Sequence, residues 1–106
     1  MFIASTTIAN RVEAETLARA LIEQQLAVCV QLEGPVTSIY RWNAKIETAE
    51  EYRLSIKYLP AQAEGLKLWV HQHHPYATPE WVVVRAVDVG EKYLSWAEAN
   101  STNRPL

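Results

Sequence analysis

Between residues 27 and 59 the apolar residues recur at every second position, in two segments of similar length joined by a short connection. In residues 27–41 Val28, Val30 and Leu32 share one face until Gly34-Pro35 interrupts the alternation, the pattern of a bent strand carrying a bulge. In residues 46–59 Tyr52, Leu54, Ile56 and Tyr58 alternate with Arg53, Ser55 and Lys57, and Trp42-Asn43-Ala44-Lys45 supplies a tight turn between the two. Two strands of about 13 residues reach roughly 40 to 45 Å at 3.3 Å per residue, whereas a 12-residue helix covers roughly 18 Å. Part of the hairpin therefore overhangs any helix laid on it. An overhanging ribbon that bears Tyr and Trp beside open backbone groups needs another copy to pair with, so a homo-oligomer is expected.

The rest of the 106 residues fits around this hairpin as one domain, 1–106. Residues 2–8 are rich in β-branched side chains and read as a buried strand. Asn10, with Glu13 three residues later, opens a helix whose apolar face is Ala14, Leu17, Ala18, Leu21 and Ile22, running to about residue 25. Pro60 suits a first helical position, and Ala63, Leu66, Val70 and His73 continue that helix to a stop at His74-Pro75. The near-continuous apolar run at 81–87 predicts a strand covered on both faces, residues 91–99 a terminal helix, and 101–106 a flexible polar tail. The order strand, helix, strand, strand, helix, strand, helix is the α+β ferredoxin-like split βαβ arrangement, with one antiparallel-type sheet and a C-terminal helix.

Charge and composition narrow the partners. Ten Lys and Arg against 12 Asp and Glu leave a formal charge of −2, without the basic excess that phosphate neutralisation requires, so nucleic acid is not expected. The longest uninterrupted apolar run, at 26–30, is five residues, far short of the roughly twenty that span a bilayer. No basic leader or cleavage site precedes the first strand, and a single cysteine, Cys29, suits a reducing compartment, so a cytoplasmic location is expected.

The candidate chemistry is sparse. His71, His73 and His74 form H-x-H-H at a helix end, where imidazoles either ligate a transition metal or donate to the last carbonyls of the helix. Cys29 is either a soft ligand or a small buried hydrophobe. Tyr76, Glu51, Lys57 and Glu80 could serve acid-base work, but nothing fixes a nucleophile beside a base, and a non-enzymatic role with no required cofactor is expected. The aromatics Tyr40, Trp42, Tyr76, Trp81, Tyr93 and Trp96 exceed what a small sheet needs and divide between core and subunit contact. A phosphate-cradling glycine loop is missing from 5–10, and 50–57 lacks an RNA-binding aromatic pattern.

Several spaced signatures coincide: Leu26-Ala27-Val28-Cys29-Val30, Ser38-Ile39-Tyr40-Arg41-Trp42, Glu51 with Lys57, His74-Pro75-Tyr76-Ala77-Thr78-Pro79-Glu80, and Tyr93-Leu94-Ser95-Trp96. Together they closely resemble the CutA divalent-cation tolerance family over nearly the whole chain. The resemblance implies a homotrimer of ferredoxin-like subunits whose sheets meet through the long second and third strands. It also implies tolerance of copper and other divalent metal ions, with Cu(II) or a similar cation weakly bound and no agreed catalytic activity. By similarity His73 and His74 match the positions most associated with metal, and Cys29 is a weaker candidate. An alternative role is a trimeric small-ligand or signalling module resembling the PII regulators, with intersubunit clefts lined by Tyr40, Trp42, Glu51, Lys57, Tyr76, Glu80 and Trp96. The chain departs from the family at Ser5-Thr6-Thr7, where some relatives carry a cysteine, and at Ala44 and Tyr58, where glycine and threonine are frequent.

Overall fold

A computed structural model of the chain describes residues 1–101. Strands β1 (Phe2–Ile8), β2 (Cys29–Trp42), β3 (Lys45–Tyr58) and β4 (Val82–Arg85) form one sheet in the order β2-β3-β1-β4. Every neighbouring pair is antiparallel. Helices α1 (Arg11–Glu23), α2 (Ala63–His73) and α3 (Glu91–Ser101) complete the split βαβ order with its terminal helix.

Local chemistry sets the helix ends. The Asn10 side chain accepts the Glu13 N–H at 3.0 Å and satisfies one orphan donor at the start of α1. Ala14, Leu17, Ala18 and Leu21 then lie buried at helical spacing against Ala4, Ile8, Leu54 and Ile56 of the sheet. Pro60 begins a single 3-10 turn, Pro60–Gln62, and the α-helix itself starts only at Ala63. Buried Gln62 joins the two regions: its Oε1 accepts the Leu59 N–H at 2.8 Å, and its Nε2 donates to the Gln25 carbonyl at 2.9 Å. Leu66 and Val70 of α2 are fully buried in the same core.

Only one face of the sheet receives this core. Leu54, Ile56 and Tyr58 point to the α1 and α2 side, so Arg53, Ser55 and Lys57 point away from it. On that second face α3 reaches one end of the sheet, where Lys57 Nζ lies 5.5 Å from the centre of the Tyr93 ring. The expected covering of β4 is not found: the strand is shorter than 81–87, pairs only with Phe2–Ser5 of β1, and leaves Val82 and Val84 more than half exposed. Ser101, expected to open the tail, is instead the buried last residue of α3, and the rest of that expectation, 102–106, lies outside the described residues.

The hairpin is long, as the alternation requires, with 14 residues in each strand and a molecule 52 Å in its longest dimension. Its register shifts between Glu33 and Val36, at the Gly34-Pro35 step. Glycine is needed there, since a Cβ on Gly34 would stand 2.8 Å from Tyr52 Cδ1 and 3.0 Å from the Glu51 carbonyl oxygen. At the tip, Asn43 and Ala44 both take positive φ, 49° and 63°, the two-residue turn whose twist matches the strands. Asn tolerates that region, whereas an Ala Cβ is strained in it by about 1–2 kcal/mol. Ala44→Gly should therefore raise stability to urea by about 0.5–1 kcal/mol, the strain relief less the added unfolded-state entropy of glycine; a loss of stability would show that the strain is absent.

Candidate functional site

The functional geometry starts where α2 stops. Pro75 bars helical backbone at the residue before it, and His74 is extended at φ −68°, ψ 136°. This turns the His74 ring inward, where it is buried and its Nε2 lies 3.0 Å from the Thr6 hydroxyl of β1. The Tyr76 backbone N–H donates to His74 Nδ1 at 3.0 Å. An accepting Nδ1 carries no proton, so Nε2–H donates to Thr6 Oγ1. One imidazole thus clamps residues 74–76 to the sheet and aims Tyr76 across it.

The Tyr76 hydroxyl donates to Glu51 Oε2 at 2.8 Å. Glu51 projects from β3 on the face away from α1 and α2 and is only 8% exposed. Burial works to raise its pKa, but hydrogen bonds from the Ser38, Tyr76 and Thr7 hydroxyls, with His74 nearby, outweigh burial and hold the carboxyl below its usual range. Burial and the Glu51 charge push the Tyr76 phenol well above its usual range, so it stays a donor. Burial also lowers the His74 pKa, reinforced by His71 and opposed by the Thr7 backbone and Glu51. Beyond Glu51, Ser5 Oγ donates to Glu80 Oε2 at 3.1 Å. Tyr40 and Trp42, about half exposed, stand along the same side, and the whole encloses an open groove of about 870 Å³.

The structure brings together Tyr40, Trp42, Glu51, Tyr76 and Glu80. It separates Lys57 and Trp96 from them. Lys57 is six residues along β3, about 20 Å at strand spacing, beneath Tyr93, whose ring centre is 5.5 Å from that of Trp96. The three histidines also part company. His71 and His73 donate through Nδ1 to the Lys67 and Trp69 carbonyls, each at 2.8 Å, as helix-end donors do, and His73 stacks on Trp69. Both rings are exposed, whereas both nitrogens of His74 are engaged inside. Cys29 begins β2, half-buried, opposite Lys57 on the face away from α1 and α2. No group of three His, Cys, Asp or Glu side chains among the described residues could hold a metal ion. Thr6, Thr7 and Ser38 were not anticipated as part of this site; the only signal for them was hydroxyl residues placed inside strands.

The chain matches the CutA1 divalent ion tolerance protein family over residues 2–100. The divalent-cation tolerance protein CutA of Yersinia pestis (strain Pestoides F) is 36% identical over 94 residues, covering 89% of this chain and 79% of that protein. Among solved structures, CutA of Synechococcus elongatus PCC7942 superposes with a TM-score of 0.92 at 34% identity, over 95% of this chain and 89% of the other. The divalent cation tolerance protein of Thermus thermophilus gives 0.89 at 33% identity, over 96% and 100%.

The chain belongs to the CutA family. Divalent-cation tolerance is the general function that membership carries, and no helix among the described residues is long and apolar enough to cross a membrane. In this CutA chain the acid limb of stability should follow the buried groups. Neutral His74, lowered from 6.5, and ionised Glu51, lowered from 4.5, each favour the folded state above those values and lose that contribution as pH falls through their folded-state pKa values. Tyr76→Phe leaves Glu51 short of a donor and should cost about 1–3 kcal/mol at pH 7. In urea titrations that deficit should be fully present at neutral pH and shrink in acid as Glu51 protonates; a deficit that does not change with pH would mean Tyr76 acts through packing alone.

Proposed function

We propose that the chain is a trimeric, non-enzymatic, cytoplasmic divalent-cation response protein that requires no cofactor and takes Cu(II) or a similar ion weakly through His73. The carrying observation is the His73 ring: a carbonyl can only accept, so the 2.8 Å contact with the Trp69 carbonyl oxygen puts the proton on Nδ1 and leaves an exposed Nε2 lone pair for a metal. Histidine ligands are commonly oriented in this way by a carbonyl on the second nitrogen. His71 repeats the arrangement two residues earlier, about 200° away around the helix, so each imidazole meets an ion alone unless a neighbouring copy supplies further ligands. Weak binding follows from that ligand count. His74 contributes by holding the loop.

Support for a non-enzymatic role comes from the hydrogen-bonded Glu51–Tyr76 pair. Glu51 is held ionised and Tyr76 protonated across the neutral range, so neither is poised to pass a proton at pH 7. Support for the threefold assembly comes from the uncovered sheet face and the 14-residue strands. A second reading, a small-ligand module, is favoured by the groove between Tyr40, Trp42, Glu51 and Tyr76 on that uncovered side, within the usual size range of ligand pockets.

Cu(II) titration followed by electron paramagnetic resonance checks the metal reading. The wild-type spectrum should show imidazole nitrogen, and in a His71→Ala background, which removes the equivalent imidazole, His73→Ala should weaken binding about tenfold or more, while Cys29→Ser should leave it unchanged. Equal affinity in His73→Ala would remove His73 as the ligand.

A further inference from the structure

Of the two exposed imidazoles, His73 is the one whose ring is held twice over by a single residue. Trp69 lies one helical turn before it on α2, and side chains at this spacing share a face. The indole stacks flat on the imidazole, with ring centres 4.0 Å apart and planes 17° from parallel, while the Trp69 carbonyl holds Nδ1 at 2.8 Å. The indole is itself anchored, because half-buried Trp69 packs against the core. His71 is placed differently: Trp81 meets it edge-on from outside the helix, at 5.3 Å and 71°, and its carbonyl partner belongs to Lys67. Trp69 and His73 both sit on α2, on the opposite side of the sheet from the face given to the threefold assembly.

Resting on the metal reading, we infer that Trp69 is the positioning residue of the His73 site, and that its indole, beyond its carbonyl, sets the affinity for the ion. The carbonyl selects the tautomer that leaves Nε2 bare, but by itself it leaves the exposed ring free to turn away into water. The flat indole removes that alternative by fixing the plane of the imidazole. An ordering cost that would weaken binding about two- to tenfold is thereby met in the folded chain, before an ion arrives. Charge acts in the same direction. Once Nε2 gives its lone pair to a cation the imidazole becomes positive, and the face of an indole attracts positive charge.

Cu(II) affinities are compared in the full chain carrying His71→Ala, so that His73 alone reports. Trp69→Leu and Trp69→Met keep an apolar helix former without a ring, Trp69→Phe keeps a ring face, and Trp81→Leu removes another half-buried indole, one that touches His71 instead. Trp69→Leu and Trp69→Met should each weaken binding about three- to tenfold, with Trp69→Phe and Trp81→Leu changing it less than about twofold. In the metal-free chain at pH 8, the His73 ring ¹⁵N resonances, assigned by their loss in His73→Ala, should show a protonated Nδ1 and a bare Nε2. In Trp69→Leu the two should move towards each other as the ring escapes the carbonyl. A loss of binding in Trp69→Phe or Trp81→Leu as large as in Trp69→Leu would reduce Trp69 to packing and overturn the assignment. So would a Trp69→Leu or Trp69→Met chain that binds as tightly as its parent while His73→Ala does not. Equal affinity in His73→Ala would instead overturn the ligand reading, and this inference with it.

Discussion

A four-stranded sheet has two faces, and this chain's principal core covers one of them. The α1 and α2 helices bury Ala4, Ile8, Leu54 and Ile56, while α3 meets the other face at one end, beside Lys57. Everything distinctive about the molecule follows from the uncovered side. Tyr40, Trp42, Val82 and Val84 remain in water there, and 14-residue strands carry the sheet well past the helices. Exposed large apolar side chains on a face that no helix covers mark it for interaction, and the threefold assembly proposed for this CutA chain would use it.

The second organising feature is the buried Glu51 carboxylate on that face. It is held by hydroxyl donors, and one of them, Tyr76, is positioned by the His74 ring, itself anchored on Thr6. Pro75 begins the sequence of contacts by stopping α2 and turning His74 inward. Fold and site are therefore one construction: the signal that ends a helix also places a phenol over a carboxylate from a segment 25 residues away in sequence. Such a network is worth more than its pairwise parts because each hydrogen bond polarises the next in a low-dielectric setting.

Much of this was legible from residues alone. Period-two alternation specified the hairpin, Gly34-Pro35 its bulge, and Asn10 with Glu13 the start of α1, because each is a local rule with a local cause. The limits of β4 were not legible, since an apolar run records a preference for burial but its hydrogen-bond partners, Phe2–Ser5, decide how long the strand lasts. Within the site, Tyr40, Trp42, Glu51, Tyr76 and Glu80 were named together and do share one groove, while Lys57 and Trp96 fell into a separate cluster. The H-x-H-H run looked like one feature, yet the helix twist splits His71 from His73, and Pro75 sends His74 inside. Thr7 and Ser38 gave only the weak signal of hydroxyls inside strands, because it takes the folded sheet to bring those hydroxyls to Glu51.

The most direct test of the uncovered face is the mass of the native particle, measured by light scattering on a sizing column at micromolar concentration. A threefold assembly predicts about three times the 12.1 kDa of one chain. A particle of 12.1 kDa, with Tyr40, Trp42, Val82 and Val84 left in solvent, would contradict it.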